Sequence, residues 1–392
     1  MNARTMFSRE NFTEVLLDTI KVYYQQVHGV DVELSLEKKK GFRKLYLYST
    51  PLFVSGFPIC KGAKTFLYSE YNIRGSILKY IIGKMGVFLI VHSYGLGAFQ
   101  RIYIGAKEQI DTSIFISPCN RTVRFYDFKH DIVTCVLKNG YQPLFLNNQL
   151  DFRLESQYGF VPKVLERGEN WYTEKIMWGH ALARVRDVRL HKHALETVDE
   201  YISQLAGDTF SVIEGQEYFN NICQELEMLC DALLDNQGQL LDKTAYALEI
   251  LKMLVKEAKL MVPTCISHGD LQEGNVWVTN DSRVLIYDWE TCSRRSVWYD
   301  PVTLHYSIRS GIRRSDLFHC LKTDDRWLVN DTCKYYSNDQ LVGIVNVLFL
   351  EDVLFQMQEA FQLSPQYGRK RAKEVMENFV EQTEEGIDGV KS

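Results

Sequence analysis

The residues best suited to chemistry lie between Ile266 and Glu290, in the stretch ISHGDLQEGNVWVTNDSRVLIYDWE. Two alternating apolar runs, NVWVTN and RVLIYDW, are joined there by the turn-forming residues Asn280, Asp281 and Ser282. A hairpin sets its entrance beside its exit, which gathers Asp270, Asn275 and Asp288 at one edge. Asp and Asn oxygens are hard ligands, suited to magnesium carrying nucleotide phosphates rather than to zinc. Asp270, the remaining carboxylate, is placed to accept a proton from an attacking hydroxyl.

The elements that must position this edge are readable in outline. From Thr112 onward, SIFISP, TVRFYDF and IVTCVLK are β-branched and aromatic runs, the last two separated by Lys129, His130 and Asp131. They predict an antiparallel sheet. NNQLDFRLESQYG follows as an amphipathic helix, with Leu150, Leu154 and Tyr158 at helical spacing and Gly159 to stop it. VPKVLERG and WYTEKIMWG are two further strands. After Gly179 the pattern turns helical over 195–205, 218–234 and 244–261, with Pro263 ending the last, and it is helical again beyond Pro301 through the apolar run 341–355. Residues before 112 mix helix and strand patterns and hold no motif tied to chemistry. The sequence thus divides into an N-terminal accessory domain of unknown role (1–111), a small β-rich lobe (112–179) and a larger helical lobe with the catalytic loop (180–392).

Composition narrows the function classes. Of 392 residues, 45 are Lys or Arg and 50 Asp or Glu, giving a net charge of -5, with no basic run longer than Lys38 to Lys40; a nucleic-acid footprint is not indicated. The nine cysteines are scattered with no C-x-x-C pair, as expected of reduced thiols in a cytoplasmic protein. MNARTMFSRENFTEV has no apolar core of a secretory leader. The most apolar window, Ile81 to Phe99, is interrupted by Lys84 and His92 and is too short and too polar to span a bilayer, so no transmembrane segment is expected.

His268-Gly269-Asp270-Leu271, three residues, then Asn275 resembles the catalytic loop H-x-D-L-x-x-x-N of the protein-kinase-like fold, and Asp288-Trp289-Glu290 stands where that fold has D-F-G. The glycine after the histidine and the Asp-Trp-Glu variant resemble the aminoglycoside phosphotransferase and choline kinase branch, which phosphorylates small molecules. The resemblance implies an α+β, bilobal fold and use of ATP and magnesium. Asp270 is then the catalytic base, His268 holds the catalytic loop, and Asn275 and Asp288 are the metal ligands. Lys138, ending IVTCVLK, stands where the family's strand lysine contacts ATP phosphates, and Glu155 on the next helix where its partner glutamate stands. Ser117 to Asn120 would form the loop over the nucleotide, departing from the glycine-rich pattern, and the backbone of Lys175 to Met177 would face the adenine. Asp300 in WYDP resembles the aspartate that anchors the catalytic loop; a helix N-cap before Pro301 is the alternative.

Other candidates are weaker. Gly95-Leu96-Gly97-Ala98-Phe99 imitates a kinase glycine loop but lies too far upstream of Lys138 for one hairpin to link them, and a glycine-permitted turn is expected. His180, His191 and His193 lack a completing ligand and are expected on a solvated helix surface. Arg294 and Arg295 either steer an anionic substrate or form a solvated basic loop. Glu214, Glu217, Glu225, Glu227 and Asp231 either attract an amine-bearing substrate or line a solvated helix face. The function expected is transfer of the ATP γ-phosphoryl group to a hydroxyl of a small acceptor such as a sugar, aminoglycoside or amino alcohol. The alternatives are a catalytically silent kinase-like nucleotide-binding module and a protein kinase, the latter disfavoured by the short passage from Asp288 to Trp298-Tyr299-Asp300-Pro301. The 1–111 segment is a candidate for partner or dimer contacts.

Overall fold

The computed structural model describes residues 6, 10–49, 52–70, 77–93, 95, 97–108, 115–235, 237–306, 308–310, 312–328, 336–363 and 365–390. The chain forms two compact units, residues 1–194 with 276–287, and residues 195–275 with 288–392. It is α+β, as expected.

The first unit is built on one antiparallel sheet. Its strands are β1 (Val32–Ser35), β2 (Arg43–Ser49), β3 (Leu52–Ser55), β4 (Ala98–Ala106), β5 (Phe115–Pro118), β6 (Thr122–Asp127), β7 (Ile132–Leu137), β8 (Val164–Arg167) and β9 (Trp171–Lys175), in the spatial order β1-β4-β2-β3-β5-β6-β7-β9-β8. The residues at the expected 111/112 boundary lie outside those described, but strands on both sides of it share this sheet through the β3–β5 pair, Val54 opposite Ile116. The accessory domain and the β-rich lobe are therefore one structural body. The sequence reading split them because period-2 patterning shows that a strand is half-buried, not which strand it pairs with.

Strand alternation gives the sheet two apolar faces. Leu47, Ile102, Ile116, Val123, Phe125 and Val136 pack under helix α1 (Phe12–His28) through its Phe12, Leu16, Ile20 and Tyr23. Tyr23 stacks on Phe125 with ring centroids 3.8 Å apart. The opposite side chains, among them Phe53, Phe115, Tyr126, Val133 and Cys135, form a second core with α2 (Lys61–Glu70), α3 (Ile77–His92) and α4 (Leu144–Glu155), the last supplying Leu146 and Leu150. A small sheet, β10 (Gly179–Ala181), β13 (Val276–Thr279) and β14 (Val284–Ile286), completes the unit. β13 and β14 are the expected hairpin, with Val276 opposite Ile286.

The second unit is mostly helical: α5 (Val188–Thr209, which begins in the first unit), α6 (Gly215–Leu233), α7 (Gly238–Glu257), α8 (Tyr299–Tyr306), α9 (Arg314–Thr323), α10 (Asn338–Phe361) and α11 (Pro365–Val390). A sheet of β11 (Ser211–Glu214), β12 (Met261–Ser267) and β15 (Ser293–Ser296) carries the candidate loop at the end of β12. Helix α10 starts at a capping box between Ser337 and Gln340. It is long and apolar enough to cross a membrane, yet 78% of its apolar window is buried inside the fold. It is the core helix against which α6, α7 and α11 pack.

Candidate active site

The loop leaving β12 is held by one buried carboxylate. Asp300, in the first turn of α8, accepts from the Ser267 hydroxyl at 2.9 Å, the His268 N–H at 2.7 Å and the Gly269 N–H at 3.0 Å. Three donors on one oxygen pair make it a bracket for the loop, as the family resemblance implies, and not a helix cap. Gly269 has φ +84, and a Cβ there would lie 2.6 Å from the Thr291 carbonyl oxygen and 2.3 Å from the Arg295 guanidinium. Only glycine fits both the left-handed backbone and this approach. His268 is buried against Trp289 at 4.7 Å between ring centroids, and its Nδ1 accepts the Asp270 N–H at 3.2 Å. It holds the loop.

Beyond this bracket the three hairpin-edge residues gather within the second unit. Asn275 donates its amide N–H to the Asp270 carbonyl at 2.8 Å and to the Asp270 carboxylate at 3.3 Å. That orientation leaves its Oδ1, a hard donor, without a hydrogen-bond donor among the described residues. Asp288 sits at φ 69, ψ 49, in the left-handed region uncommon outside glycine, just before the 3₁₀ turn Trp289–Thr291. Its charge helps raise the Asp270 pKa. An amide oxygen and a carboxylate suit a magnesium ion that takes its remaining ligands from phosphate and water. Among the described residues no group of three His, Cys, Asp or Glu is placed to hold a metal by itself.

Burial is the main cause that lifts Asp270 above the ordinary carboxylate value; Arg309, the Gln272 amide and His268 oppose it. Arg309 was not visible as a site residue in sequence. It lies in the 3₁₀ turn Ile308–Ser310, stacked 3.2 Å from the Phe355 ring centroid, 3.8 Å from the Asp270 carboxylate, and 3.5 Å from both Asp352 and Glu359 on α10. Asp352 also accepts from Gln356 at 2.7 Å, and burial raises its pKa. The only sequence sign of this cluster is the pair Glu351-Asp352 inside an otherwise apolar helix. Glu351 proves structural, accepting from the Ser296 N–H at 2.6 Å and from the Ser296 and Tyr218 hydroxyls.

In the first unit the expected pairing of Lys138 with Glu155 is not found. Lys138 follows Val136 by two residues, so its side chain falls on the α1 face of the sheet, away from α4. There it is 1% exposed, donates to Glu10 at 2.5 Å and to the Asn120 carbonyl at 2.9 Å, and Tyr141 donates to the same Glu10 at 2.7 Å. Glu155 is exposed at the end of α4. The buried ion pair on the α4 face is instead Arg153 with Glu174, Arg153 also donating to the Pro162 carbonyl at 2.9 Å. The sequence sign was Arg153 at helical spacing from Leu146 and Leu150, a charge inside the apolar stripe.

Ser117 stands opposite Arg124 across β5 and β6, and Arg124 opposite Cys135. The intervening turn is closed by the Cys119 N–H on the Thr122 carbonyl at 2.8 Å. Arg124 lies on the α4 face among Cys119, Cys135, Tyr126 and Tyr172, and its Nε has no acceptor among the described residues. Among the described residues no carboxylate forms an ion pair with it. Lys175 is exposed at the end of β9, and Met177 is half-buried between β9 and β10; the Ile176 N–H between them donates to the Asp131 carbonyl at 3.0 Å.

The remaining candidates resolve as structure. Both arginines lie on β15 rather than in a loop: exposed Arg294 donates to the Thr209 carbonyl at 2.9 Å and the Ser211 hydroxyl at 3.0 Å, and buried Arg295 donates to the Thr291 carbonyl at 2.9 Å. His191 is buried, contrary to expectation, and His193 exposed. Glu214, Glu217, Glu227 and Asp231 are exposed, while Glu225 accepts from Gln358 at 2.6 Å. Leu96 of the glycine-loop imitation and Cys333 lie outside the described residues. None of the eight described cysteines is in a disulfide.

Several solved structures are similar to this chain. A thermostable mutant of aminoglycoside phosphotransferase APH(4)-Ia matches at 14% identity and TM-score 0.46, over 70% of this chain and 94% of that one. An ethanolamine kinase of Plasmodium vivax matches at 13% identity and TM-score 0.42, over 76% and 88%. A choline kinase of Cryptosporidium parvum matches at 13% identity and TM-score 0.42, over 72% and 92%. At such values none of them carries an inference about substrate. No curated protein matches the sequence. The model of the phosphotransferase enzyme family matches residues 181–317, a segment that contains the whole loop, its Asp300 bracket and Arg309.

Proposed function

We propose that the chain is an ATP-dependent phosphotransferase acting on a hydroxyl of a small molecule. The observation that carries this reading is the loop itself: a left-handed Gly269 and a triply bonded Asp300 hold Asp270 beside Asn275, with Asp288 electrostatically coupled to it. In this reading Asn275 Oδ1 and the Asp288 carboxylate hold magnesium, which neutralises phosphate charge when bound. Asp270 aligns the acceptor hydroxyl and takes its proton as the acceptor oxygen bonds to the γ-phosphorus. The bond from that phosphorus to the bridging oxygen breaks, and ADP leaves with the electron pair.

Lys138 is occupied by Glu10, which favours the silent nucleotide-binding reading unless another cation meets the phosphates. We assign that role to Arg124, which lies on the α4 face, opposite Ser117 of the expected nucleotide loop, with no carboxylate partner among the described residues. It also bears electrostatically on Tyr287, the residue before Asp288 in the chain. Around Arg309 stand three carboxylates, Asp270, Asp352 and Glu359. The excess negative charge supports an acceptor that carries an amine, such as an amino sugar or amino alcohol.

The test is ADP release with magnesium over a panel of sugars, amino alcohols and aminoglycosides, beside calorimetric titration with ADP and with adenosine. Acceptor-dependent turnover that disappears in Asp270→Ala supports the reading, whereas magnesium-dependent ATP binding without turnover on any acceptor leaves the silent module. Arg124→Met should weaken ADP about ten- to hundredfold, the scale of one lost charge-assisted contact, and leave adenosine unchanged. Equal ADP affinity in Arg124→Met would return the role to another cation.

A further inference from the structure

Helix α3 is the least covered apolar element of the first unit. Of its 16 residues only Val87 and Val91 are fully buried, seated in the core between α2 and the sheet. Leu78, Ile81, Ile82, Met85, Phe88 and Leu89 are between 48% and 68% exposed. Leu78, Ile82, Met85 and Leu89 recur at helical spacing, so they form one continuous outward stripe, with Ile81 and Phe88 flanking it. Scattered exposed leucines are normal on a protein surface; a contiguous row of large apolar side chains marks a surface that meets something.

The charge around the stripe says what it meets. Between Glu70 and Glu108 the sequence contains no Asp or Glu, while Lys79 and Lys84 fall on α3 itself, in a chain whose net charge is -5. Lys84 lies over the rings of Tyr68 and Tyr80 at 5.5 and 5.3 Å, and Arg186 over Tyr80 at 4.6 Å, which places further cations and aromatic rings beside the apolar row. A second copy docking by a two-fold axis would set this basic zone against itself. An anionic bilayer surface offers apolar depth and negative charge together.

We infer that α3 is a membrane-surface helix that lies in the headgroup layer of an anionic bilayer and holds the protein against it. The helix cannot span: 16 residues reach about 24 Å, short of a hydrocarbon core of about 30 Å, and Val87 and Val91 fix its inner face to the sheet. The apolar row enters the interface while Lys79 and its basic neighbours meet the lipid phosphates. This inference does not depend on the catalytic reading. A surface-held enzyme would meet acceptors presented at the membrane.

The test uses the purified full-length chain sedimented with vesicles of phosphatidylcholine alone or phosphatidylcholine with phosphatidylglycerol, together with the double substitution Ile82→Glu, Phe88→Glu and the single substitution Lys79→Glu. Both sets are at exposed positions, so an unchanged melting temperature certifies the fold. Wild type should bind the phosphatidylglycerol vesicles, lose most binding in high salt, and weaken about a hundredfold in the double variant, given the transfer energy of two large apolar side chains. Equal binding to both vesicle types would overturn the anionic surface. Binding to neither, with a concentration-dependent dimer in analytical ultracentrifugation that the same double substitution abolishes, would assign the stripe to a second copy.

Discussion

Two clusters of charge, one in each unit, behave differently in the fold. In the first unit Lys138, Glu10 and Tyr141 form a closed set, with side-chain exposures of 1% and 3% for the ion pair and every strong group bonded. In the second, Asp270 has Arg309 at 3.8 Å, and its raised pKa reports burial that its partners do not fully compensate. The closed set is stabilising architecture; the second leaves a buried carboxylate only partly compensated by its neighbours. Completeness of satisfaction, more than residue type, separates structural charge from functional charge.

Substitutions at the two clusters should therefore fail in opposite ways. Asp270→Asn is isosteric and keeps the Arg309 and Gln272 side, so it should fold normally and lower turnover about 10²- to 10⁴-fold, the range for a lost general base. Steady-state kinetics with an acceptor found in the panel, beside a melting curve, decides this. Turnover within a factor of a few of wild type would remove Asp270 as the base. Lys138→Met should act on stability instead, because it leaves Glu10 ionised and unpaired in the sheet core at a cost of about 3–5 kcal/mol. Denaturant unfolding of Lys138→Met, Glu10→Gln and the double variant measures the coupling, and the double should recover much of the loss. A Lys138→Met protein that is stable but cannot bind ADP would restore the lysine to the phosphates.

These contrasts also show how much of the molecule was legible in its sequence. The candidate loop was, because His268, Asp270 and Asn275 lie within eight residues and the β13–β14 hairpin is joined by a short turn, so local geometry alone brings Asp288 back to them. The Asp300 bracket was legible only through the family resemblance, with a helix cap as the open alternative, because its bonds to the loop span about thirty residues. Lys138 was misplaced by a parity error: strand alternation sends Val136 and Lys138 to one face and Cys135 to the other, and α1, which covers the Lys138 face, comes from the segment with no readable motif. Arg309, Asp352 and Glu359 were invisible because their meeting with Asp270 is set by helix packing at long sequence separation.

Gly269→Ala probes a smaller effect on the loop side. The alanine Cβ would meet the Thr291 carbonyl oxygen and must hold φ +84, a strain of about 1–3 kcal/mol. The loop can release that strain by letting go of Asp300, so turnover should fall by more than the stability loss accounts for. A variant as active as wild type would show that the loop tolerates movement of Asp270.

Arg309→Met gives the finest contrast, because it changes a charge and keeps the apolar contact with Phe355. Arg309 opposes the burial that lifts the Asp270 pKa, so its loss should raise that pKa further. A base works only when ionised; the acid limb of the kcat profile should then lie above 3.8, the ordinary aspartate value, in wild type and move to still higher pH in Arg309→Met. Stability follows the opposite sign. An aspartate that binds its proton more tightly in the folded chain than in the unfolded one loses stability as pH rises from its unfolded to its folded value, and the variant should extend that decline upward. Measured together, a kcat limb and a stability slope that both shift upward place the guanidinium on Asp270. If neither moves, the charge of Arg309 is spent on Asp352 and Glu359, and the second cluster is as closed as the first.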